Sequence, residues 1–182
     1  VARNIVYFDL ETQLSAQEVG GWNNIADMRL ALGVTYSTTR GSYEIYTETE
    51  APELIRELQR ADLVVGFNVL RFDYQVLTRY SAFADFSQVP TLDMLVDIEK
   101  IIGHRIKLDS IAHASLGVGK TADGLESLKW WKEGKYRDIA EYCCFDVKTT
   151  KLVHEYGATR GHVLYTNNRT KLKQEIPVGW TL

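Results

Sequence analysis

The order of strand-like and helix-like segments predicts an α/β domain: a mixed sheet, three antiparallel strands and then parallel strands, flanked by helices. Three observations predict it. "DLVVGF" (Asp62–Phe67) is a short, wholly apolar run, the signature of a parallel strand buried on both faces. "RLALGVTYS" (Arg29–Ser37) and "SYEIYTE" (Ser42–Glu48) are strand-like runs separated by Arg40 and Gly41, a hairpin signal. Beyond residue 70 most apolar segments follow a helical period instead.

The elements follow in order. Asn4–Leu10 reads as the first strand, followed by a polar connection that contains Trp22 and runs to Asp27. The hairpin strands come next. "APELIRELQRA" is a helix, since Leu54, Ile55 and Leu58 share a face and Pro52 suits a first turn. After the buried strand, Leu70–Tyr80 reads as a helix with Asn68 as its cap. Thr91–Gly103 and Lys107–Gly117 are helices stopped by glycine, and Gly124–Gly134 is another short one. Tyr136–Gly157 is a long amphipathic helix ended by Gly157, and the tail from Gly161 adds a strand or an extended arm. The opening strands are expected to be antiparallel neighbours, with the fourth strand parallel to the first across a helical crossover.

Composition sets the class. The 182 residues are 45% hydrophobic and 25% charged, ordinary for a globular chain and expected to form one domain over 1–182. No apolar run approaches the roughly 20 residues of a membrane span, and no targeting pattern opens the chain, so no membrane partner and a cytoplasmic location are expected. The first residue is Val1, which suggests a chain processed or cut from something longer. Cys143 and Cys144 are adjacent, which gives neither a disulfide framework nor a zinc spacing, and they read as packing thiols. The net charge of −3 does not advertise a nucleic-acid binder. The charge is uneven, however: residues 100–137 hold 8 basic against 4 acidic side chains, so this segment either faces a polyanion or is a solvated surface.

Three stretches bear chemistry. In "IVYFDLET", Asp9 and Glu11 stand two apart and on a strand point to the same face. "GFNVLRFD" places Asp73 on the first turns of the helix after the fourth strand. "YCCFD" places Tyr142 and Asp146 four apart, on one face of the last long helix. Four clustered carboxylates cannot all ionise cheaply without cations. Hard divalent ions answer this, and a pair of them about 3.5–4 Å apart is an arrangement that hydrolyses phosphodiesters.

"FDLET", "GFNVLRFD" and "YCCFD" resemble the three exonuclease motifs of the DEDD superfamily of 3′–5′ exonucleases, which has a ribonuclease H-like fold. The resemblance spans roughly Ile5 to Val153. It implies two divalent metal ions, Mg²⁺ or Mn²⁺, held by Asp9, Glu11, Asp73 and Asp146, with Asp9 bridging both. Glu11 and Asp146 would serve the ion on the nucleophile side, and Asp73 the other. One branch of the superfamily has His five residues before the last Asp, and the other has Tyr four before it. Here those positions hold Glu141 and Tyr142, so the chain is similar to the Tyr branch, with Tyr142 orienting the attacking water. The resemblance extends to bacterial and phage-like predicted exonucleases that stand alone or accompany a helicase. It therefore implies nucleic acid, single-stranded or at 3′ ends, as the substrate and a helicase or a replication or repair assembly as a partner. Two other readings remain: a structure-selective endonuclease on the same fold, and a catalytically silent nucleic-acid-binding or docking module.

Other features are weighed against simpler readings. "LGVGKT" lacks the first glycine of a P-loop, since that position is Ala114, so Lys120 is at most a phosphate contact and otherwise ordinary surface. Trp130 and Trp131 sit among lysines, a pattern suited to single strands, although adjacent helical positions diverge and one ring is expected in the core. Trp22 lies where the superfamily grips the terminal nucleotide. Thr12 and Asn68, which flank the carboxylate motifs, complete the candidate substrate contacts with Trp22, Lys120 and Trp130. Asp93 and Asp97, four apart, read as a wet helix face or as an extension of the acidic site.

Overall fold

The computed structural model describes residues 2–119 and 122–182. Its elements are β1 (Ile5–Thr12), β2 (Leu30–Ser37), β3 (Ser42–Thr47), α1 (Ala51–Arg60), β4 (Leu63–Gly66), α2 (Asp73–Leu77), β5 (Thr91–Asp93), α3 (Met94–Ile102), α4 (Leu108–Leu116), α5 (Gly124–Lys132), α6 (Tyr136–Arg160), β6 (His162–Thr166) and β7 (Lys173–Pro177). The main sheet runs β3-β2-β1-β4-β5. β1–β2 and β2–β3 are antiparallel, and β1–β4 and β4–β5 are parallel. This is the mixed sheet flanked by helices that the sequence predicts. β6 and β7 form a separate antiparallel hairpin.

Alternation along β1 divides the core. Val6, Phe8 and Leu10 enter a cluster with α1 and α2, whereas Ile5 and Tyr7 enter a cluster with α3, α4, α6 and the hairpin. The second cluster closes over α6. Ile139, Cys143, Val147 and His154 form its buried stripe, and the Tyr7 hydroxyl meets His154 Nδ1 at 2.8 Å. Burial pushes His154 down to about 4, which keeps its ring neutral.

Several expectations need correction. Thr91–Asp93 is not the first turn of a helix but an edge strand, because its backbone pairs with Val64–Gly66 and α3 starts only at Met94. The helix expected over Leu70–Tyr80 shortens to α2 and a following 3₁₀ turn over Thr78–Tyr80. Asn68 makes no side-chain cap there, since it has a left-handed backbone (φ 69°) four residues before Phe72, the true cap position. Asp93 and Asp97 do not form a wet face: Asp93 is buried, and Asp97 Oδ2 accepts the indole N–H of Trp180 at 2.6 Å.

Gly157 does not end α6, which continues to Arg160 and is capped by Gly161. Its glycine serves packing. A Cβ at position 157 would lie 2.4 Å from Cε3 of the buried Trp180 ring. Only a bare backbone lets the C-terminal segment seat there. Gly157→Ala should therefore lower unfolding free energy by about 1–3 kcal/mol in urea melts. An unchanged melt would mean that the Trp180 contact is not maintained.

Candidate active site

β1 delivers the first pair of acids. Asp9 and Glu11 continue the Tyr7 row towards α6, beyond the stretch where β4 pairs with β1, since that parallel ladder covers only Ile5–Tyr7 against Leu63–Val65. The β1–β2 register shifts between Glu11 and Thr12, an irregularity of the kind that re-aims side chains at sheet ends. The acids thus lie towards the carboxyl end of the parallel strands, the usual crevice of α/β sheets.

The chain then brings Asp73 onto β1. Gly66 permits a tight turn after β4, because a Cβ there would stand 2.2 Å from Val69 Cγ1. The turn is held by Asp93, whose carboxylate accepts the backbone N–H groups of Asn68 (2.8 Å), Leu70 (3.0 Å), Leu95 (3.1 Å) and Val96 (3.3 Å). Asp93 therefore caps α3 and clamps the loop leading to Asp73. Asp73 opens α2, is buried, and accepts the Leu10 N–H through Oδ1 at 3.2 Å.

α6 supplies the third wall. The Tyr142 hydroxyl donates to Asp146, and Cys143 Sγ donates to Asp9 Oδ2 at 3.3 Å. One ligand atom each of Asp9, Glu11 and Cys143 lies within 4.8 Å of the other two. Burial, and then the charges of Asp73, Asp146 and Glu11, hold the Asp9 carboxyl well above its ordinary range. Burial pushes Asp73 up to about 7, against the lowering effect of its backbone hydrogen bonds. Tyr142 is driven far upward by burial and by Asp146, Glu11 and Asp9, and the Cys143 thiol by burial and the same acids. Both therefore keep their protons at neutral pH.

Among the described residues, this donor set consists of carboxylates with a phenol and a thiol beside them. Its carboxylate oxygens fit a hard divalent cation, and a neutral, buried thiol is a poor ligand for one. The acids open onto two clefts. One of about 850 Å³ is lined by Asp9, Glu11 and Asp73 with Trp22, Phe72 and Leu128. The other, about 530 Å³, is lined by Tyr142 and Asp146 with Phe67, Asn68, Arg105 and Lys107.

The remaining candidates are placed as follows. Thr12 lines the larger cleft, and its hydroxyl donates to the Leu14 carbonyl at 3.0 Å. Trp22 is 69% exposed at the cleft, with its ring edge-on to Phe72 at 6.3 Å. Asn68 lines both clefts. Trp130 is half-buried and packs edge-on to Tyr142 at 6.1 Å, beside the acids and outside the larger cleft's lining. Lys120 lies outside the described residues. The basic stretch is largely self-neutralised around α5: Lys132 pairs with Glu18, Lys135 with Glu133, and Arg137 with Glu141. The Glu18–Lys132 pair ties the loop after β1 to α5.

Sequence reasoning missed Cys143 and Asp93. Cys143 stands three residues before Asp146, a helical spacing that could have flagged it. Asp93 directly precedes α3, the position where an Asp cap is expected once that boundary is known.

The family model for the RNase H superfamily matches residues 6–158, a span that contains Asp9, Glu11, Asp73, Tyr142 and Asp146. The chain belongs to the RNase H superfamily. Members are mostly nucleases or other hydrolases, which supports a nuclease-type function. No curated protein matches the chain. Among solved structures it is similar to the family B DNA polymerase from the hyperthermophilic archaeon Pyrobaculum calidifontis, with a TM-score of 0.67 and 15% identity over 86% of this chain. The match spans 25% of the polymerase's length, and at that identity it shows the fold alone. Among the described residues no helix is long and apolar enough to cross a membrane.

The crowded acids make a stability prediction. The Asp73 carboxyl is raised in the fold, so its contribution is intact below the unfolded value near 3.8 and is lost as pH rises through about 7. In chelator, Asp73→Asn should raise the melting temperature by a few degrees at pH 8, about 2–4 °C per kcal/mol for a chain of this size, and by much less at pH 4. Mn²⁺ should raise the melting temperature of the parent chain and close that gap. Equal melting temperatures for variant and parent at pH 8 would contradict the crowding.

Proposed function

We propose that the chain is a metal-dependent 3′–5′ exonuclease of the Tyr-type DEDD branch, acting on single-stranded nucleic acid or frayed 3′ ends. One observation carries the reading: Asp9, Glu11, Asp73 and Asp146, drawn from a strand and two helices, meet with the Tyr142 hydroxyl at the junction of two clefts. Asp9, Glu11, Asp73 and Asp146 would hold two divalent cations, Mg²⁺ or Mn²⁺. When bound, these supply charge neutralisation, a water of lowered pKa and stabilisation of the leaving oxygen.

The chain's own groups divide the remaining work. Tyr142 keeps its proton, so it orients a water by hydrogen bonding and does not serve as a base. Asp146 fixes the hydroxyl that does this. Cys143 holds one Asp9 oxygen in place and leaves coordination to the acids. Trp22 and Phe72 offer aromatic faces to a terminal base, and stacking of this kind is sequence-tolerant. The Glu18–Lys132 pair holds together the loop after β1 and α5, which both line the larger cleft, a restriction that favours attack at a strand end over attack within a strand. A helicase or a replication or repair assembly remains the proposed context.

The test is digestion of 5′-labelled single-stranded DNA and RNA with Mg²⁺, Mn²⁺ or chelator. The expected product is a ladder of one-nucleotide steps that chelator abolishes. Asp9→Asn should lower the rate by at least about 10³-fold, and Tyr142→Phe by about 10²–10³-fold with cation binding retained. Discrete internal cuts would instead make the enzyme an endonuclease. Binding without any metal-dependent cleavage would sink both enzyme readings and favour a silent module.

A further inference from the structure

The β6–β7 hairpin lies beyond residues 6–158, the span shared with the superfamily, so shared membership does not account for it. Its connecting turn reads "NNRTKL", with Arg169 and Lys171 exposed. Between this hairpin and the α3–α4 connection runs a polar groove of about 690 Å³. On one wall stand His104, Arg105 and Lys107, and on the other Tyr165, Asn167 and Arg169. His104 and Tyr165 approach edge-to-face, with ring centroids 6.3 Å apart.

Two features separate this groove from ordinary surface. First, it is continuous with the candidate active site. Arg105, Ile106 and Lys107 line both this groove and the cleft containing Tyr142 and Asp146, and Lys107 also lines the cleft of Asp9, Glu11 and Asp73. Second, its charge is available. Arg105, Lys107 and Arg169 take part in none of the ion pairs among the described residues, unlike Lys132, Lys135 and Arg137 around α5. Cations beside amides and aromatic rings match a single strand, with its phosphates and unpaired bases. The two ends of the path also differ. The cleft near Trp22 and Phe72 is aromatic and suits a base, whereas the hairpin groove is polar and suits the backbone.

We propose that the groove between the α3–α4 connection and the β6–β7 hairpin is an extended binding track for the single strand on the 5′ side of the scissile phosphate. This rests on the exonuclease reading above and adds what that reading lacks, a reason for the enzyme to prefer longer strands. Arg105 and Arg169 contact phosphates, and Tyr165 and His104 offer surfaces to bases. The hairpin is thus the device by which this chain lengthens its grip.

The experiment compares hydrolysis of two-nucleotide and eight-nucleotide single strands. The readout is the ratio of kcat/KM for the longer over the shorter, which cancels any general effect on chemistry. An Arg105→Ala/Arg169→Ala double variant should lower that ratio at least about tenfold and reduce the slope of log affinity against log salt by about 1.4, roughly 0.7 for each lost contact. An Arg56→Ala/Arg60→Ala variant, with the same charge change on the exposed side of α1, should leave the ratio unaltered. An unchanged ratio in the groove variant, with a cleavage ladder intact, overturns the track and leaves the exonuclease reading standing. An equal fall in both double variants also overturns it, because bulk charge would then explain the effect. Absence of cleavage by the parent chain defeats both.

Discussion

The crowding of four acids, one buried and three half-buried, is the constraint on which the rest of the structure depends. Burial holds the Asp9 carboxyl up most, and the neighbouring Asp73, Asp146 and Glu11 add to it. Nothing in apolar packing favours such a cluster, and each member costs stability when ionised without a counter-ion. The fold answers by holding each acid from a different direction. β1 aligns two of them, the Leu10 N–H anchors Asp73, and α6 presents Asp146 beside a protonated tyrosine and a protonated thiol. Adjacent acids that would relax apart in a loose loop are kept together by a sheet and two helices.

The support extends beyond the acids themselves. Asp93 accepts four backbone N–H groups and so joins the edge of the sheet to the loop that delivers Asp73. On the opposite side of the acids, Tyr7, His154 and Trp180 pack α6 down onto β1, with Gly157 leaving room for the indole. A second charged residue thus positions the first, and a C-terminal tryptophan stabilises the helix that carries Tyr142. Function and stability meet in α6: its buried stripe holds the core while the adjoining positions face the clefts.

Much of this was legible in the residues. Period-two spacing sufficed to put Asp9 and Glu11 on one face, and period-four spacing did the same for Tyr142 and Asp146. Both are local rules, insensitive to what packs nearby. The mixed sheet was legible for the same reason, since its hairpin and its buried fourth strand announce themselves within a few residues. What escaped was decided by distant partners. Thr91–Asp93 is too short to show a period, and only pairing with β4 makes it a strand. Asp93 resembled a surface acid until the loop it clamps was in place. Gly157 looked like a helix stop because its real partner, Trp180, is 23 residues away in the chain. The groove beside the hairpin could not be foreseen either, because its two walls come from residues around 105 and 167.

The central claim is that these four acids form a cation-binding centre rather than a merely crowded surface. Anomalous scattering from crystals soaked in Mn²⁺ tests it most directly. The account predicts two peaks about 3.5–4 Å apart, both within coordinating distance of Asp9, with Glu11, Asp73 and Asp146 completing the set. A cleft without a peak at millimolar Mn²⁺, or ions bound only at exposed acids elsewhere, would contradict it.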